Sequence, residues 1–180
     1  MEGIKFDEKL GLLKLVLSGK KTMFRVPSRK NKVLTKYQVG QELAILQAYK
    51  DINVDPKELV FEEDENGEIV GVRAVDSKGW TRKGSVDPEL MPHRIIITSA
   101  TKEYVRDISD DDCEKEGIRL ISDDIAHLDG NIGFDGYSID GRTWIGETPQ
   151  DAFAAISNRA VKKDAWAGNI MVDVYEFKLK

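Results

Sequence analysis

Cysteine is almost absent from this 180-residue chain. Cys113 stands alone, so no intrachain disulfide can form and packing must hold the fold. Histidine is nearly as scarce, with only His93 and His127, and one thiol with two scattered imidazoles does not make a structural zinc site. Long apolar runs are missing too. The triplet Ile95-Ile96-Ile97 falls far short of the roughly 20 residues that span a bilayer, so no membrane partner is expected. The opening Met1–Glu8 mixes charges around no apolar core, which argues against a signal peptide; with a single cysteine, a cytoplasmic location is the expectation. Phosphate-binding P-loops, dinucleotide fingerprints and Gly-x-Ser-x-Gly elbows are all lacking, and no cofactor is expected.

The most informative absence is local. Between Lys9 and Gln41 there is no Asp or Glu, while nine bases occur: Lys9, Lys14, Lys20, Lys21, Arg25, Arg29, Lys30, Lys32 and Lys36. The remainder of the chain holds all 32 acids against 18 bases, a balance of −14, so the overall −5 conceals a strong asymmetry. Such a distribution can steer a polyanion to one side while the acidic remainder repels indiscriminate binding. The plainer reading is a lysine-rich segment kept soluble by its charge.

Periodicity places the elements. Residues 7 to 18 read as a helix with Leu10, Leu13 and Leu17 on one stripe, Asp7 as its cap and Gly19 as its left-handed stop. Lys21 to Val26 is a short strand ended by Pro27, and 27 to 38 a polar loop. Residues 39 to 49 turn into a buried strand, and 59 to 75 form a hairpin about Asn66-Gly67. A strand runs from Arg94 towards Val105, and Ser109 with Asp110, Asp111 and Asp112 opens a helix ending near Gly117. Aspartates in a first helical turn suit the macrodipole, and four polar residues in sequence cannot converge on one ion, so no metal is expected there. A helix starts at Thr148-Pro149 with Phe153 and Ile156 facing inward, and a last strand closes the chain. Residues 121 to 147 form a loop-rich insertion. Hairpin rather than crossover spacing makes this an α+β domain with a mixed, mainly antiparallel sheet, possible as a small barrel.

Gly19-x-Lys21-Thr22 after an amphipathic helix, then Arg25 and later "YQVGQELAI", resembles the ASCH domain of the PUA-like superfamily. The stretches "MPHRIIIT", "DISDDDCEKEGI" and "TPQDAFAAI" through "WAGNIMVDVYEF" match one subgroup found in bacteria and their phages, in order and over most of the chain. The resemblance implies one domain over residues 1–180, a small PUA-like β-barrel flanked by helices, and a cleft beneath the Gly-x-Lys loop that holds RNA or a modified nucleotide. It also admits an enzyme, since one ASCH group deacetylates acetylated cytidine. Its second threonine, two residues past Thr22, is Phe24 here, and relatives carry Glu where this chain has Gln47.

Three functions follow. In a binding module, the Gly19 and Lys20 backbone N–H groups with Lys21 and Arg25 meet phosphate oxygens, and Arg29, Lys30 and Arg94 add charge. Tyr49, Trp80 or Trp144 then offers a stacking face, although core packing is the commoner duty of such rings. In a hydrolase acting on a nucleoside amide or an RNA phosphodiester, Lys21 is the base, with Thr22 or Glu42 helping. In a protein-docking accessory, the basic loop is the contact.

Overall fold

A computed structural model describes residues 1–29, 35–54, 57–75, 77–121, 136–139 and 146–180. In chain order its elements are β1 (Glu2–Ile4), α1 (Leu12–Leu17), β2 (Met23–Pro27), β3 (Glu42–Ile45), β4 (Glu58–Glu63), β5 (Ile69–Val75), β6 (Arg94–Tyr104), α2 (Asp110–Lys115), β7 (Arg119–Ile121), β8 (Gly136–Ser138), α3 (Pro149–Ala160) and β9 (Met171–Leu179), with short 3-10 turns between them. The architecture is α+β and the strand pairing mostly antiparallel, β1 with β3 being parallel. No closed barrel forms among the described residues. No helix is long and apolar enough to cross a membrane.

The chain divides into two compact units. The first comprises Met1–Lys5 and Leu43–Arg94. Here β1 lies beside β3, and Ala44, Tyr49, Val86 and Met91 form an apolar cluster on which Trp80 packs. The hairpin of β4 and β5 belongs to this unit, and its Asn66-Gly67 turn takes the positive φ that glycine permits (+80° at Gly67).

The second unit, Phe6–Glu42 with Ile95–Lys180, carries a three-stranded antiparallel ladder with β9 between β2 and β6. Register sorts its side chains. Phe24 lies opposite Tyr175, Val26 opposite Asp173, and Lys102 and Tyr104 opposite Asp173 and Met171. These share one face, where Phe6, Phe24, Tyr37, Tyr175 and Phe177 pack as an aromatic core. Met23, Arg25 and Glu103 fall on the other face, which α2 and α3 cover with Cys113, Glu116 and Phe153.

Two boundaries differ from expectation. Asp7 does cap a turn, its Oδ1 accepting the Leu10 N–H at 3.0 Å, but Gly11 is left-handed (φ +70°) and α1 begins only at Leu12. β1 is also new: three residues of mixed polarity give no alternation to read, and pairing with β3 makes them a strand. Most of the 121–147 insertion lies outside the described residues.

Candidate functional site

The left-handed turn at Gly19 (φ +71°) ends α1 as expected, and it consumes the donors assigned to a ligand. The Gly19 N–H donates to the Val16 carbonyl at 3.0 Å, the Lys20 N–H to that of Leu15 at 2.9 Å, and the Lys21 N–H to Leu15 as well at 3.1 Å. Backbone groups already closing a helix are not offered to a phosphate.

Lys21 and Arg25 do converge, as the Gly-x-Lys-x-x-x-Arg spacing implies, but inside the protein. Each residue is 2% exposed. The Lys21 ammonium donates to the Glu116 carboxylate Oε2 and to the Glu116 carbonyl at 2.9 Å. Arg25 spends all five of its N–H donors. Nη1 reaches Glu116 Oε1 at 2.8 Å and Met23 Sδ at 3.1 Å, Nε and Nη2 reach Glu103 Oε1 at 3.1 and 2.8 Å, and Nη2 also reaches Asp112 Oδ2 at 3.1 Å. Its guanidinium carbon sits 5.6 Å from the centroid of the Phe153 ring, adding a cation–π contact. Two cations therefore meet three carboxylates, with no donor of Arg25 left over.

Burial pulls the Lys21 ammonium below the ordinary lysine range, and Glu116 only partly opposes it. Arg25 is also penalised by burial, but Glu116 and Glu103 outweigh that and hold it charged. Beside them, burial pushes the Cys113 thiol up to about 12, with Arg25 as the opposing influence, so it is a packing residue rather than a nucleophile.

The remaining predicted residues are scattered. Thr22 is half-buried and its N–H donates to the Lys115 carbonyl at 2.9 Å. With Gly19, Lys20, Lys115 and Arg119 it lines a shallow depression of about 250 Å³ that also includes Asp111 and Glu114, a mixed-charge rim. Arg29 is exposed. Lys30 and Trp144 lie outside the described residues. Tyr49, Trp80 and Arg94 belong to the other unit. Tyr49 is buried, its hydroxyl accepts the Asp87 N–H at 2.7 Å, and Gly79 lies so close that an added Cβ would sit 2.3 Å from its ring. Trp80 packs on the same cluster but is only partly buried, so Tyr49 is a core ring and Trp80 lies at the edge of that core. Arg94 is half-buried and reaches the Glu89 carbonyl at 3.5 Å. Glu42 pairs with Lys180 at 2.7 Å, and Gln47 is buried with its Oε1 lacking a hydrogen-bond partner among the described residues. No described group of three or more His, Cys, Asp or Glu side chains could hold a metal ion.

A second buried polar centre, absent from the sequence reading, lies on the aromatic face of the ladder. Asp173 is fully buried, yet its carboxylate accepts from Ser28 Oγ, from Lys102 Nζ at 2.6 Å, from the Lys36 N–H at 2.8 Å and from the Tyr175 hydroxyl at 3.2 Å. That hydroxyl in turn accepts the Tyr37 N–H at 3.0 Å. Burial opposes ionisation of Asp173, but Lys102, Ser28 and Lys36 prevail and hold it below the usual carboxylate range. Ser28 and Lys36 flank residues 30–34, so the two ends of the basic segment are tied to one carboxylate. An aspartate in an apolar strand was the available signal, since a buried acid requires such partners.

No protein-family profile, no curated protein and no solved structure matches this chain.

Proposed function

We propose that this chain is a binding module for RNA or for a nucleotide with an altered base, of the ASCH type within the PUA-like superfamily, whose contacts are made by the exposed bases of its acid-free segment and not by Lys21 or Arg25. What supports this reading is the sorting of the cations. Lys21 and Arg25 are neutralised internally, whereas Lys9, Lys14, Lys20 and Arg29 remain exposed in a stretch without a single acid. Exposed bases attract phosphate through counterion release, and neighbouring acids such as Asp111 and Glu114 beside Lys20 limit where a strand can lie.

A hydrolase with Lys21 as base and Thr22 as helper has less support. An ammonium that is 2% exposed and tied to two oxygens of Glu116 reaches no substrate without first breaking those bonds. For the binding reading, anisotropy titration of a fluorescein-labelled eight-nucleotide oligouridylate is expected to show affinity that falls steeply with added salt. Lys20→Glu with Arg29→Glu is expected to weaken it by about tenfold or more and flatten the salt slope by about one to two, as loss of phosphate contacts requires. Absence of binding at low salt contradicts the reading.

A further inference from the structure

We propose that the end of the β6–β9 ladder at Tyr104 is a stacking platform for one unpaired base of a single-stranded nucleic acid, with Lys102 on the same face to meet an adjoining phosphate. This rests on the nucleic-acid reading above and locates where contact is made. Tyr104 and Met171 are cross-strand partners at the last rung, 49% and 38% exposed, on the face that also carries Lys102 and Asp173. Among the described residues the Tyr104 ring joins no aromatic pair, unlike Phe24, Tyr37 and Tyr175 on the same face. An exposed ring beside an apolar thioether gives a base a flat, partly dry surface.

The backbone that follows the ring is pinned. The Val105 N–H donates to the Ile170 carbonyl at 2.9 Å, and the Arg106 N–H to Asn169 Oδ1 at 3.1 Å. The Arg106 guanidinium donates to the carbonyls of Trp166 at 2.8 Å and Ala167 at 2.9 Å. The charge is complementary. Lys102 spends two contacts on Asp173 and Ser28 and has a third N–H donor, with a side chain 23% exposed, while Asp173 beneath it is fully buried. Ser28, whose N–H donates to the Met171 carbonyl at 3.1 Å, leads directly into exposed Arg29 and the acid-free segment. The nearest acid on β6, Glu103, points to the opposite face and is bound by Arg25. A polyanion with aromatic bases fits this arrangement better than a peptide does.

Two probes separate the contributions: the labelled eight-nucleotide oligouridylate and a chain of eight abasic phosphate spacers of the same charge. Tyr104→Ala is expected to weaken oligouridylate binding by roughly 5- to 100-fold, as loss of one base–aromatic stack does, and to leave the abasic chain unchanged. Tyr104→Trp is expected to retain or tighten oligouridylate binding. Binding by the wild type that Tyr104→Ala leaves intact, with Lys20→Glu and Arg29→Glu still weakening it, overturns the platform while the binding reading stands. Equal loss on both probes also overturns the platform, because stacking is blind to a chain without bases. No binding of either probe by the wild type overturns both.

Discussion

Glu116→Gln is expected to lower the stability of this protein by about 3–5 kcal/mol, with Glu116→Leu no milder. The reason is electrostatic. One carboxylate accepts from both buried cations, and removing it strands the Lys21 ammonium where solvent cannot reach it and takes one of three carboxylates from Arg25. Glu103 and Asp112, each partly exposed, still hold Arg25, but Lys21 loses its only carboxylate partner among the described residues. For a chain of this size the loss corresponds to a fall in Tm of about 6–20 °C. A matched pair makes the test specific. Lys21→Met combined with Glu116→Gln removes one cation with the acid, and is expected to recover a good part of the loss, because replacing a buried pair costs far less than breaking one. Chemical denaturation of wild type, both single variants and the double variant measures the coupling. Additive losses would contradict a buried ion pair.

Asp173→Asn carries the second large effect, a loss of about 3 kcal/mol, measured in the same way. Four donors converge on this carboxylate, and hydrogen bonds to a charged acceptor are each worth about 1.5–3 kcal/mol. The pH dependence has a definite sign. The folded carboxyl titrates below its ordinary 3.8, so its contribution is present above that pH and disappears as acid carries it through the lowered value. The gap between wild type and Asp173→Asn is therefore expected to be full near neutrality and to narrow below about pH 3.8. Because Ser28 and Lys36 share this anchor, amide exchange at Lys36 should also quicken in the variant. A gap independent of pH, with Lys36 exchange unchanged, would mean that the charge plays no such part.

Much of the frame was legible in the sequence because its signals are local. Gly19 stops α1, Asn66-Gly67 turns the β4–β5 hairpin, Ser109 caps α2 with its hydroxyl accepting the Asp112 N–H at 3.2 Å, and Thr148 with Pro149 opens α3. The meeting of Lys21 and Arg25 was legible too, since residues four apart along an extended segment share a face. What they meet was not. Glu103, Asp112 and Glu116 lie 78, 87 and 91 residues further along, and only the fold brings them together. The spacing of Asp112 and Glu116, one helical turn apart, held a hint that the capping role of the aspartates masked. Gly117 completes that placement. Its φ of +102° ends α2 directly after Glu116, and an added Cβ would lie 2.9 Å from Leu15. Of the rings read as stacking candidates, Tyr49 packs as core, the commoner duty of such rings, and Trp80 packs partly buried against the same cluster.

The central claim is that Lys21 is sealed within an ion network while its neighbour Lys20 faces solvent. Amine acylation by a soluble succinimidyl ester, followed residue by residue with mass spectrometry, tests this most directly, because the two lysines share sequence surroundings but not environment. Lys20 is expected to label within minutes in the native protein, and Lys21 only after denaturant unfolds the chain. An accessible lysine with a lowered pKa would do the reverse, reacting ahead of Lys20, and that result would contradict the buried network and return Lys21 to the role of a chemical base.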